Sequence, residues 1–165
     1  MSATLNDATA LRARDAAVLA LTLFAEAGHR PVRALEALAS VVLNRVAAGR
    51  PHWGHGIEAV CRAPFQFPCW NPRHGNHAAL RAAAPGGERA ADATMAICRR
   101  IAARAVAGAL PDSTGGATHY HGDDAQPGWA LAQLPVAEIG GLLFYRLSPA
   151  APPAAPARPR LAAVG

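Results

Sequence analysis

Apolar residues recur at helical spacing in three stretches of this chain, and a glycine closes each of them. In "RDAAVLALTLFAEAG", Leu19, Thr22, Leu23 and Glu26 fall at i, i+3, i+4 and i+7, the rows that line one face of a helix. The spacing predicts a first helix from Leu11 or Arg14 to Ala27, stopped at Gly28. Pro31 suits the first turn of a second helix that ends at Gly49, with Leu35, Leu38, Ala39, Val42 and Val46 on its stripe. Two such helices joined by a few residues are expected to pack as an antiparallel hairpin. A third helix is predicted from about Glu88 to Ala107, with Thr94, Ile97, Cys98, Ile101 and Ala105 facing inward. Aromatics make up only 5% of the chain while alanine is abundant, so the helices should meet through small side chains.

The remainder reads differently. Residues 1 to 10 are expected to be a flexible tail. The stretch from 50 to 87 is dense in proline, glycine, histidine and asparagine, with one short helix over "GIEAVCRA". "GATHYHGDD" and "GLLFYRL" read as short strands with "PGWA" in the connection. From Ser148 the chain is rich in proline and alanine, which cannot build a core. The fold class that follows is α+β: one mostly helical domain over residues 11 to 147 with a small antiparallel sheet near its end, and a disordered tail over 148 to 165. At 165 residues the chain is long enough for one such core.

Glu26 is the anomaly in this pattern. It stands on the apolar stripe rather than opposite it. Either it bends out to solvent or pairs with an arginine, or it is a carboxyl held in a desolvated place. Desolvation raises a carboxyl pKa, and the negative end of the helix dipole acts in the same direction. Both effects favour a carboxylic acid that keeps its proton, as a general acid for glycosidic cleavage must. Common glycosidases use a second carboxylate, for which Asp123, Asp124, Glu36 and Glu58 are the candidates.

Other chemistry is open to these residues. His119 and His121 alternate on a strand and would project to one side as two zinc ligands could, with His74, His77 or an aspartate of "GDD" as a third. There is no HExxH motif to support that reading. A cysteine nucleophile would need a setting that lowers a thiol pKa, and neither Cys61 nor Cys69 has one. Cys61 and Cys69 could instead pair as a disulfide in an oxidising envelope, leaving Cys98 as a buried thiol. In "FQFPCW", the aromatic residues Phe65, Phe67 and Trp70 around Gln66 suit either sugar binding or a loop that covers the core.

All 16 basic residues are arginine and the formal net charge is +5, which attracts polyanions such as nucleic acid or an anionic cell wall. No nucleic-acid motif with interleaved aromatics is present. No apolar run is long enough to cross a membrane. Arg12, Arg14 and Asp15 interrupt the place where a signal peptide would begin its apolar run.

Taken in order, "ALTLFAEAGHRP", "ALASVVLNRV", "AVCRAPFQFPCW", "GGATHYHGDDAQPGWA" and "IGGLLFYRL" resemble the SleB-type cell-wall hydrolases, the spore-cortex lytic enzyme family. The resemblance covers about residues 16 to 147 and implies a lysozyme-like fold. It also implies a lytic transglycosylase that cuts peptidoglycan glycan strands between N-acetylmuramic acid and N-acetylglucosamine. A monomer acting at the cell envelope with no metal and no cofactor is expected. The family's catalytic glutamate falls on Glu26. Its substrate-contacting segments fall on Gln66, Phe67 and Trp70, on His119, Tyr120 and His121, and on Trp129 and Tyr145, with Tyr120 and His121 together in the cleft. Pro68 and the His121–Gly122 pair depart from the family pattern. The rivals are a zinc- or cysteine-dependent peptidoglycan amidase or peptidase, and a non-catalytic wall-binding or phage-particle module.

Overall fold

The structure is a computed structural model and describes residues 2 to 147. The proline-rich segment from Ser148 lies outside the described residues. Five α-helices and three short strands are present among them, besides three single turns of 3-10 helix: α1 (Ser2–Ala27), α2 (Val32–Ala48), α3 (Ile57–Arg62), α4 (Asn76–Ala83), α5 (Ala93–Val106), β1 (His119–Gly122), β2 (Ala137–Ile139) and β3 (Leu142–Tyr145).

Helix α1 begins at Ser2, well before Leu11, so residues 2 to 10 of the expected tail are helical, with residues 4 to 10 exposed. Its buried side is Leu19, Ala20, Leu23, Phe24 and Ala27, which packs chiefly on α5 and α4 and less on α2. The hairpin expected of α1 and α2 is thus a minor contact. Gly28 ends α1 by donating its N–H to the Phe24 carbonyl at 2.9 Å. A Cβ there would lie 2.5 Å from that same oxygen, so only glycine fits the stop.

Helix α2 is buried on two sides, which explains why its sequence is apolar nearly all round. Leu35, Leu38, Ala39 and Val42 face the helical core. Ala34, Ala37 and Val41 face a second, smaller core made with Ala117, Leu142 and Phe144 of the sheet region. Gly49 closes α2 in the left-handed region (φ 61°), its N–H shared between the Arg45 and Val46 carbonyls.

Of the third stripe, Cys98, Ile101 and Ala105 are buried as expected and Ile97 packs partly buried on the core; Met95 and Ala102 join them, while Thr94 is occupied at the helix start. Asp92 caps α5 by accepting from the Thr94 N–H at 2.8 Å, which moves the start from Glu88 to Ala93.

The sheet is antiparallel in the order β1-β3-β2. Gly140 and Gly141, both at positive φ (59° and 77°), form the two-residue turn that folds β2 onto β3. Asn44 and Arg45 on α2 hold the segment that leads into β1. The Asn44 amide donates to the Ala117 carbonyl at 2.9 Å and the Arg45 Nε–H to the Thr118 carbonyl at 2.7 Å. These bonds fix the sheet against the helices, and hence the height of β1 beside the end of α1.

Candidate functional site

Glu26 sits in the last turn of α1, half-buried. A helix C-terminus presents carbonyl oxygens, so a carboxylate there finds no N–H donors on its own helix. Two come from elsewhere. The backbone N–H of Cys69 donates to Glu26 Oε1 at 2.7 Å, and the side-chain amide of Asn76 donates to Oε2 at 3.1 Å. Each oxygen is therefore held by a different element.

The Cys69 segment is itself pinned from both directions. His77, the neighbour of Asn76 on α4, bonds the Cys69 carbonyl through Nδ1 at 2.9 Å. A carbonyl can only accept, so Nδ1 carries the proton. Trp70 donates its indole N–H to Thr22 Oγ1 at 3.0 Å, and Thr22 stands one turn before Glu26 on α1. The first turn of α4, the Phe67–Trp70 loop and the last turns of α1 thus form a closed ring of hydrogen bonds around one carboxyl. Sequence reasoning missed Asn76. Its signal was its place at the start of a helix hidden in loop-like composition.

Tyr120 reaches this site from β1. Its ring stacks on Phe67 with centroids 6.2 Å apart. Burial, and after it the charge of Glu26, push its phenol well above the usual 10, outweighing the opposing Arg45 guanidinium. Tyr120 is therefore a neutral O–H. Arg45 lies behind Phe67, with its guanidinium 5.1 Å from the Phe67 ring and 5.3 Å from the Trp53 ring. Burial pulls its pKa down to about 10, and its Nη1 finds no partner among the described residues.

The other expected site residues are placed elsewhere. Gln66 spends its amide within the protein, accepting from Trp53 Nε1 at 3.1 Å and donating to the Pro64 carbonyl at 3.3 Å. His119, His121 and Tyr145 lie on the opposite face of the sheet from Tyr120, as strand alternation requires. The expectation that Tyr120 and His121 share one cleft is corrected on that ground. Trp129 packs against all three of these outer rings, with centroids 5.2 to 5.8 Å away. His121 is held between the Gly122 carbonyl (2.7 Å) and the Tyr145 hydroxyl (2.8 Å). Among the described residues, no third His, Cys, Asp or Glu converges with His119 and His121 into a metal-binding group.

Each of the four other candidate carboxylates is paired with arginine: Glu36 with Arg104, Glu58 with Arg14 and Arg62, and Asp123 and Asp124 with Arg30. All three cysteines are free and buried, so the expected Cys61–Cys69 pairing is not formed. Burial pushes the Cys61 thiol up to about 12 and the Cys98 thiol to about 11. Burial and the neighbouring Glu26 charge push Cys69 higher still. A thiol held protonated is a poor nucleophile.

The sequence profile of the cell wall hydrolase family matches residues 30–145, more than half of the chain. Two solved structures share the fold. The catalytic domain of the Bacillus cereus SleB protein aligns with a TM-score of 0.55 at 21% identity, covering 80% of this chain and 89% of that one. The catalytic domain of the germination-specific lytic transglycosylase SleB from Bacillus anthracis aligns equally well, covering 80% of this chain and 93% of that one. No curated protein matches the chain in sequence.

Proposed function

The chain belongs to the cell wall hydrolase family, and from that premise we propose that it cleaves the β-1,4 bond between N-acetylmuramic acid and N-acetylglucosamine in peptidoglycan, with Glu26 as the single acid and base. The observation that carries this reading is the suspension of one half-buried carboxyl between the Cys69 N–H and the Asn76 amide, while the four other candidate carboxylates are tied to arginines.

Glu26 protonates the glycosidic oxygen, and the bond from the muramic acid C1 to that oxygen breaks. The C6 hydroxyl of the same muramic acid attacks C1, and Glu26 recovers a proton from it. The products are a free 4-hydroxyl on the leaving N-acetylglucosamine and a 1,6-anhydro ring on the muramic acid. An intramolecular nucleophile takes the place of water and gains the advantage of proximity. No second carboxylate is needed. Asn76 suits a group that changes protonation state twice per turnover, because its amide presents N–H to a carboxylate and, turned over, C=O to a carboxylic acid. Tyr120, kept neutral, offers an O–H to the sugar on the sheet side.

The reading places the protein at the cell wall, acting as a monomer on glycan strands. Among the described residues no helix is long and apolar enough to cross a membrane. Digestion of purified peptidoglycan tests the proposal. Mass spectrometry should find muramic acid ends lighter by one water than hydrolysed ends. Reducing ends in their place would overturn the ring-closure step, and free peptide stems with intact glycan would overturn glycan cleavage itself.

A further inference from the structure

Between α3 and the Glu26 loop the chain makes a turn whose sequence does not match its geometry. The Gln66 N–H donates to the Ala63 carbonyl at 3.2 Å, closing a four-residue turn with Pro64 and Phe65 at its centre. Phe65 has φ 63°, alone among the described non-glycine residues in standing at positive φ. Proline at the second position followed by positive φ at the third is the pattern of a type II turn, whose third position favours glycine or asparagine. Here it holds phenylalanine, in a backbone region that is unfavourable for a bulky side chain. The ring gains nothing from the fold in return: Phe65 is 102% exposed. Two unfavourable features coincide at one residue, and neither stabilises the protein.

The ring borders a cavity of about 440 Å³, lined also by Arg62, Phe67, Trp70, Asn71 and His74. Pro68 and Trp70, on either side of Cys69, belong to the same wall, so the cavity abuts the loop that holds Glu26. Phe67 is buried and stacked on Tyr120, and Trp70 is covered by the Arg62 guanidinium at 4.5 Å. Phe65 is the fully exposed ring of the three. The polar edge of the cavity is made of donors. His74 accepts the Asn76 backbone N–H on Nδ1 (3.2 Å), which leaves the proton on Nε2. Asn71 accepts the Arg73 N–H on its carbonyl oxygen (3.0 Å), which leaves its NH₂ unused there. An aromatic face for C–H groups beside N–H donors for an acetamido carbonyl and hydroxyls fits one N-acetylated pyranose ring.

We propose that this cavity is a glycan subsite adjoining Glu26, in which Phe65, held in a strained turn, stacks on an N-acetylhexosamine of the strand. The inference rests on the glycan-cleaving reading above, and the experiment separates the two. Phe65→Ala and Phe65→Gly in the full chain are compared with the wild type in three measurements. These are calorimetric titration with tetra-N-acetylchitotetraose, kcat and KM on solubilised peptidoglycan strands, and melting temperature. Both variants should bind the tetrasaccharide about fivefold to tenfold more weakly and raise KM by a similar factor with kcat little changed. Phe65→Gly should melt at or above the wild type, because glycine relieves the positive φ. Unchanged affinity and KM in both variants would overturn the subsite and leave the cleavage reading intact. A wild type that binds the tetrasaccharide through Phe65 without cutting strands would do the opposite, keeping the subsite and overturning cleavage. A wild type that binds neither ligand would end the proposal, as would a Phe65→Gly variant that melts several degrees lower, which would mark the ring as a packing residue.

Discussion

Replacing Glu26 by glutamine is the sharpest test of the catalytic reading, because the structure says what the substitution disturbs. The amide oxygen of the new side chain can keep the Cys69 N–H, which now lies 2.7 Å from Oε1. Its NH₂ would face the Asn76 NH₂ across the present 3.1 Å contact, and Asn76 must turn its amide over to accept. That rotation restores both bonds as neutral ones. Charge-assisted bonds stabilise by about 1.5–3 kcal/mol and neutral ones by about 0.5–1.5, so something is lost. Against this, an amide is easier to bury than a carboxylate. The net change should stay within about 1 kcal/mol, a melting shift of about 2–4 °C. Activity should behave differently. Loss of general acid help costs on the order of 10²–10⁴ in rate, or about 3–5 kcal/mol of barrier. The deficit should be at the upper end or beyond, since the same group also serves as base. Glu26→Ala is the contrasting variant: it strands the Cys69 N–H and the Asn76 amide, and should cost about 1–3 kcal/mol of stability besides the activity. The assay is release of soluble fragments from purified peptidoglycan, followed by mass analysis, with thermal melting alongside. Full activity in a folded Glu26→Gln protein would refute the reasoning entirely.

Asn76→Ala should lower kcat about tenfold with little change in KM, because the carboxyl loses its adjustable partner rather than a substrate contact. Asn76→Asp, which sets a like charge beside Glu26, should be worse; equal KM defects in both variants would instead mark Asn76 as a substrate contact. His119 supplies a pH prediction. Burial, and after it the Arg45 charge, pull its pKa from 6.5 to about 4. The unfolded chain therefore binds the extra proton between those values, and the His119 contribution to stability is complete above pH 6.5 and is lost as pH drops toward 4. Discounted for partial exposure, the loss is about 1–2 kcal/mol, and a His119→Asn variant melted over the same range should lack it. Thiol titration of unreduced protein should find three reactive cysteines after unfolding and almost none before, whereas one would mean that a pair had oxidised.

How far the sequence carries depends on the distance over which each interaction acts. Helices α1 and α2 are legible because stripe, proline and glycine are local signals that act within a few residues. The α5 start is legible too, once the Asp92 cap is weighed against the apolar pattern. Helix α4 is not: eight residues of it follow a run rich in glycine and proline, and packing on α1 sustains it. The strand alternation that puts Tyr120 and His121 on opposite faces is available from the spacing alone, and the motif resemblance wrongly overrides it. For Glu26 the stripe gives away the position, but its partners lie 43 and 50 residues onward. Its own helix end had none to give. The end of a helix presents carbonyls, and a carboxylate placed there must obtain N–H donors from chain that arrives from elsewhere. A lone acidic residue on an apolar stripe at a helix C-terminus therefore implies a distant loop folded over it. Which loop does so is settled by tertiary packing. In this chain it is the loop that also borders the cavity, so the group that holds the acid and the surface that would hold the sugar are built from one piece of backbone.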